Sequence, residues 1–385
     1  MRNNKTLSYT LIQCLYWTTY CLMFCFTSAF LLDKGFSNGS IGVVLGLSYA
    51  LSALMQPLIA GYVRSSGVRL SSCMACIYAL ITLLAAAIRF LPLQGVALAA
   101  VMICMLLLQS ALQPSVNSLP RSYQLRGVKI NFGFARGMGS FAFSLVSLAA
   151  GQLLGRFAMS LLPALYCATA LLMTLCLIFF RSPAFTVEET AAEAPRSSLL
   201  RRYPRFAIFL VGLVCLSLAH ICLDNFMLQI IRTKGGDSAE MGIAISVAAF
   251  TELPAMVLYA RMARRSSPQR LLCLAGWVWS LKTLLVMLAP NPQTVYLAQL
   301  LQFLSYAIYV PATVDYISRK LPQADFLKGQ ALAGSAFTLG SLLAAFLGGR
   351  LIDLMGVAST MLVMQAFTVI GATLFTLALL RREAK

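Results

Sequence analysis

Three carboxylates, Asp224, Glu252 and Asp315, sit inside long apolar runs in the second half of the chain. An ionised group inside a membrane span costs about 2.5–3.5 kcal/mol on insertion scales, so such groups are usually kept for a proton, an ion or a charged substrate. The first half holds no such acid. Its one acidic residue before the central linker is Asp33, at the end of a run. It carries instead Arg136, embedded in FGFARGMGSFAF. Candidate proton acceptors therefore lie in one half, and a candidate anion clamp in the other.

The spacing around these groups suggests specific chemistry. His220 and Asp224 are four apart, hence on one helix face. Histidine titrates near neutral pH, so the pair is either a proton relay or a structural hydrogen bond inside a span. Glu252 precedes Pro254. With Lys282 nearby it either exchanges a proton during a transport cycle or forms a permanent bridge between two spans. Asp315 stands four residues before Arg319, with Lys320 next, which suits a gate or an ion pair at a helix end. Gln302, Tyr306 and Tyr309 form a polar stripe at helical spacing, as a cavity wall would. The Arg136 guanidinium can grip a carboxylate or a polyol with two hydrogen bonds. Trp17 and Tyr20, with Tyr16, are either cavity aromatics or packing.

These residues must be held by helices across a bilayer. Of 385 residues, 59% are hydrophobic and 11% charged, against roughly 25% charged in soluble domains. About 20 apolar residues span a bilayer. Twelve spans can be placed, at 9–32, 40–63, 70–91, 95–118, 131–155, 159–180, 206–231, 240–262, 270–289, 294–318, 328–350 and 356–380. The run from Leu7 to Leu32 is too long for a signal-peptide core and reads as a retained first span. The longest polar interruption, 181–205, separates a six-span unit at 1–180 from a second at 206–385, and reads as a cytoplasmic linker. Small residues recur in the fifth span (Gly137, Gly139, Ser140) and the eleventh (Gly334, Ser335, Gly340), which is either generic close packing of membrane helices or the mark of two parallel repeats around a midplane site.

The net charge of +18 does not indicate a nucleic-acid partner. The termini and alternate loops counted from the N-terminus hold 22 Lys and Arg, and the opposite set holds six. This is the positive-inside pattern, with both termini cytoplasmic and the basic charge facing anionic lipid. The eleven cysteines lie mostly in apolar runs, and His220 is the one histidine, so a metal site lacks ligands.

The loop from Met55 to Leu70, MQPLIAGYVRSSGVRL, resembles the loop between the second and third spans of the major facilitator superfamily. Gln56-Pro57-Leu58, Gly67 and Arg69 match, the first glycine falls on Ala60, and the usual Asp is replaced by Arg64. A related pattern, Gly349-xxx-Asp353-xx-Gly356, follows the eleventh span. Segment 131–143, NFGFARGMGSFAF, resembles the fifth span of the lactose permease and phenylpropionate transporter group. That resemblance implies an all-α membrane protein of twelve transmembrane helices, in two six-helix bundles around a central cavity. It places Arg136 in the substrate cavity, Asn117 where the arginine's carboxylate partner stands, and Phe143 where a sugar-stacking Trp stands. It aligns Glu252 with a Glu and Lys282 with an Arg, and puts Gln302 and Ser305 near a His and a Glu. Arg64 and Asp353 fall at gate positions, with Asp315.

The expected function is secondary active transport. Proton-coupled uptake of a small organic solute, such as a sugar or oligosaccharide, a nucleoside or a small carboxylate, would proceed by alternating access. The alternative is a proton-antiport exporter of drugs or sugars. Such exporters in the superfamily usually carry a Gly-Pro pair in the fifth span, whereas no Pro lies between Lys129 and Leu162. A non-transporting sensor is more distant, because it needs a soluble output module. An enzyme is not expected, since no nucleophile triad, metal-ligand set or nucleotide loop is present. The expected partners are the small-molecule substrate and the lipid bilayer of the cell's inner (plasma) membrane. The chain is expected to be a monomer, with no cofactor other than the coupling proton.

Overall fold

The computed structural model describes residues 2–124, 126, 128, 130–180, 182–183 and 199–380. Among them every regular element is helical. A hydrocarbon layer offers backbone N–H and C=O groups no partners, and a helix satisfies them within its own segment. The linker expected at 181–205 falls mostly outside the described residues.

The first six spans are α1 (Lys5–Asp33), α2 (Asn38–Ser66), α3 (Leu70–Phe90), α4 (Gly95–Pro120), α5 (Phe132–Arg156) and α6 (Met159–Phe180). Then come α7 (Pro204–Asn225), α8 (Ser238–Arg265), α9 (Pro268–Leu288) and α10 (Pro292–Lys320). The continuous stretch Gln323–Leu380 breaks at Gly356, whose φ of 79° and ψ of 171° are non-helical, into α11 (323–355) and α12 (357–380). The twelve expected spans are thus present.

Several spans are interrupted, and the causes differ. Helix α8 bends by 55° after Ala255. Pro254 explains this, because it removes a backbone donor and its ring pushes the preceding turn aside. Helix α1 contains a π-turn at Cys21–Cys25, and α7 is followed after Phe226 by a short helix, Met227–Thr233. Helix α10 tightens into a 3-10 turn at Leu300–Phe303. Neither Pro nor Gly occurs in that turn, and no sequence signal marks it.

The chain divides into two compact units. The first comprises Met1–Phe36 and Leu47–Glu193, and the second Ser37–Gly46 and Ala194–Lys385. In the first, α1 packs on α5 and α3 on α6. The core of the second holds Phe206, Phe209, Trp279, Tyr316 and Phe375, with the Phe209 and Phe375 rings stacked at 4.8 Å. The opening turns of α2 belong to this unit because small residues let two backbones meet. A Cβ added at Gly42 would strike the carbonyl oxygen of Ala345, and one at Gly349 that of Asn38.

The two halves share a turn two hundred positions apart. Gly35 and Gly235 have φ of 80° and 82°. In the first turn Phe36 N–H donates to Leu31 C=O, and in the second Gly236 N–H donates to Ile231 C=O, both at 3.0 Å. These are helix ends closed by a left-handed glycine.

Gly349→Ala forces the added methyl into the Asn38 carbonyl. Overpacking of this kind costs about 1–3 kcal/mol. The expected result is a lower melting temperature of the purified protein in detergent, and an unchanged one would contradict this contact.

Candidate substrate and proton-coupling sites

In the first unit, Asn131 caps α5, its side chain accepting the Phe134 N–H at 3.0 Å. One turn further on stands Arg136, half-buried. Its guanidinium donates to the Ser140 hydroxyl at 2.7 Å and lies 4.0 Å from the Trp17 ring centre on α1. Such cation–π contacts strengthen when water is excluded. The approach depends on Gly139, because an added Cβ there would sit 2.5 Å from Trp17 Cδ1. Among the described residues, Arg136 is met by a hydroxyl and an aromatic face rather than by an acid.

Trp17 is held in turn by Gln13, whose Oε1 accepts the indole N–H at 3.0 Å. Gln13 Nε2 donates to the Tyr9 hydroxyl oxygen at 2.6 Å and to Asn117 Oδ1 on α4 at 3.4 Å. The resemblance put Asn117 opposite Arg136, but the structure links them through Gln13 and Trp17. Helix rotation is the reason: the exposed Asn117 side chain meets α1 rather than α5. The Phe143 ring lies 6.4 Å from Trp17, and Tyr20 lies 5.3 Å from Trp17 and 4.4 Å from Phe24. The structure thus gathers Arg136, Asn117, Phe143, Trp17 and Tyr20 into one patch. It adds Gln13 and Ser140, which the sequence reading missed. A glutamine in an apolar run, one turn before a tryptophan, was the signal for Gln13.

In the second unit, Lys282 on α9 is 1% exposed, and its ammonium donates to Gln302 Oε1 on α10 at 2.7 Å. Gln302 Nε2 donates to Glu252 Oε1 on α8 at 3.3 Å. Gln302 therefore bridges the two charges that the sequence left as a possible direct pair. His220 Nε2 lies 3.5 Å from Asp224 Oδ2 on α7. The imidazole is buried, while 44% of the Asp224 side chain is exposed. Both Asp224 and Glu252 act electrostatically on Lys282. The five residues are one network on four helices.

The network has an aromatic wall. His220 sits 5.0 Å from both Trp279 and Tyr306. Tyr306 and Tyr309 lie 6.1 and 6.3 Å from Phe337. Trp279 and Phe337 were not anticipated, although Trp279 stands one turn before Lys282.

The gate candidates separate. Asp315 accepts a 2.7 Å hydrogen bond from the Tyr259 hydroxyl, tying α8 to α10. Asp353 caps the start of α2: it accepts the Asn38 N–H at 3.1 Å, the Asn38 side-chain amide at 2.8 Å and the Gly39 N–H at 2.6 Å. Gln229 then donates to Asn38 Oδ1 at 2.9 Å. Arg64 is exposed in the last turn of α2.

Comparison with known proteins now places this architecture. Residues 7–363 match the MFS_1 like family. The chain belongs to that family. It is a major facilitator superfamily transporter, as the resemblance implied, and so a multi-span membrane protein. The maltose permease of Geobacillus stearothermophilus is 26% identical over 356 residues, covering 90% of this chain and 87% of that one. Among solved structures, a mutant of the nucleoside transporter NupG superposes with a TM-score of 0.85 at 13% identity, over 97% of this chain and 99% of that one. A peptide transporter mutant reaches 0.75 at 11% identity, over 97% and 94%. At those identities the superpositions speak for the fold alone.

Gln302→Leu leaves buried Lys282 without this acceptor. A hydrogen bond to a charged group is worth about 1.5–3 kcal/mol, so the variant should melt at a lower temperature. Adding Lys282→Met removes the stranded cation and should recover part of the loss. A double variant less stable than Gln302→Leu alone would contradict the bridge.

Proposed function

We propose that this transporter takes up a neutral, hydroxyl-rich solute, a glycoside or a nucleoside, together with a proton, by alternating access. The observation that carries the coupling is the buried Lys282 joined to Glu252 through Gln302. A cation in a low-dielectric interior needs a compensating charge. Protonating Glu252 removes one. Asp224, the other acid acting on Lys282, is partly exposed and shares its helix face with His220. A proton arriving at this network shifts the charge balance among α7, α8, α9 and α10. The conformation with Glu252 charged and the one with it neutral then differ in stability, and that difference can drive the cycle.

The first-unit patch supports the solute class. A Trp17 face suits the apolar C–H surface of a sugar ring, and Gln13, Asn117 and Arg136 offer amide and guanidinium groups to hydroxyls. The maltose permease relative agrees with the sugar side of this class. A small carboxylate is the second reading, because Arg136 has no acid beside it among the described residues. Within the cycle, release of Asp353 from the N-terminus of α2, or of Asp315 from Tyr259, would loosen helix contacts inside the second unit.

The test is uptake of radiolabelled maltose, uridine and benzoate into right-side-out vesicles under an imposed inward proton gradient. Gradient-driven accumulation of maltose or uridine is expected. Glu252→Gln should abolish accumulation above equilibrium while leaving exchange of the same solute. Arg136→Gln should weaken uptake by about tenfold or more, the loss of one charged hydrogen bond. Uptake indifferent to the gradient would sink the coupling, and accumulation of benzoate alone would favour the carboxylate reading.

A further inference from the structure

A groove of about 460 Å³ runs between α3 and α6 on the first unit, away from the patch around Arg136. Its wall on α3 is Ser72, Cys76 and Ala79, and on α6 Thr174 and Ile178, with Arg69 at one end. Small side chains at one-turn spacing leave α3 without bulk on this face, and the trough lies over them. The surroundings are apolar and exposed: Leu80, Leu83, Leu175 and Phe179 are 45%, 67%, 44% and 82% exposed. On a membrane-spanning unit such a surface faces acyl chains.

The polar end of the groove is held in place. The Ser71 N–H donates to the Ser182 hydroxyl at 3.0 Å, and the Ser182 N–H donates to the Ser71 hydroxyl at 2.8 Å. This reciprocal pair fixes the start of α3 against the chain leaving α6. Arg69 precedes the first residue of α3 and is exposed, with the Ser72 hydroxyl exposed one turn along. An apolar trough ending in a guanidinium and a hydroxyl has the shape and charge of one ligand.

We propose that this groove binds an anionic phospholipid from the leaflet at the arginine-rich end of the unit. The phosphate lies on Arg69 and Ser72, and an acyl chain fills the trough past Cys76 and Ala79. Charge complementarity selects the occupant. A guanidinium pairs bidentately with phosphate, and a basic side chain at a membrane surface favours an anionic headgroup. A zwitterionic lipid carries its own cation and gains less.

Native mass spectrometry of the full chain in detergent, titrated with phosphatidylglycerol or phosphatidylcholine, tests this. The wild type should bind phosphatidylglycerol about fivefold more tightly. Arg69→Gln should erase that preference, Arg89→Gln at the far end of α3 should keep it, and Ala79→Leu should weaken both lipids. A second readout needs no variant. Maleimide modification of Cys76, mapped by peptide mass, should slow at about fivefold lower phosphatidylglycerol than phosphatidylcholine, and should not slow with inorganic phosphate. Equal binding of the two lipids, a preference that survives Arg69→Gln, or Cys76 labelling indifferent to phosphatidylglycerol would each overturn the proposal.

Discussion

The second unit depends on one constraint: a lysine ammonium, 1% exposed, must keep its charge balanced inside a protein that spans lipid. Lys282 meets it through Gln302 and Glu252. A direct lysine–carboxylate pair would be a rigid tie. An amide between the charges is a weaker link, with one donor and one acceptor already committed. The Glu252 carboxylate stays half-buried, and so remains open to protonation. The bend after Ala255 follows that carboxylate within one turn, and Gln302 itself sits in the 3-10 turn at Leu300–Phe303. The irregular backbone therefore lies where the charges are.

The first unit solves a related problem without acids. Arg136 has an aromatic face and a hydroxyl as neighbours, and Trp17 is oriented by Gln13, which also reaches Tyr9 and Asn117. Gly139 makes this possible by leaving room for the indole. The guanidinium is positioned by its own unit yet keeps donors for a ligand. That division of labour, titratable groups in one unit and a fixed cation in the other, is the chemical asymmetry of the chain.

The spans were legible in the sequence because repeated apolar runs of bilayer length, in a chain this poor in charge, fit a lipid interior and little else. The α8 bend follows from Pro254, and the place of Arg136 on α5 follows from its motif. Other features depend on how helices rotate against each other, which periodicity within one helix does not specify. Gln302 looked like one rung of a polar stripe, and its bridging role needs Lys282 and Glu252 from other helices. Asn117 looked like the arginine's partner, but α4 turns it toward Gln13. Asp353 and Asn38 are 315 positions apart, and nothing local to either predicts that one caps the helix of the other. The turn at Gly35 and Gly235 follows a lysine in both halves, but a Lys-Gly pair is no turn signal by itself, and the geometry is what shows the two turns to be alike.

The central claim is that a proton enters with the solute through the Glu252 network. The most direct measurement is external pH in a lightly buffered suspension of energy-depleted cells when maltose or uridine is added. The account predicts a transient alkalinisation with the wild-type protein that a protonophore abolishes and Glu252→Gln lacks. Solute entry with no pH change, or alkalinisation that persists in Glu252→Gln, would contradict it.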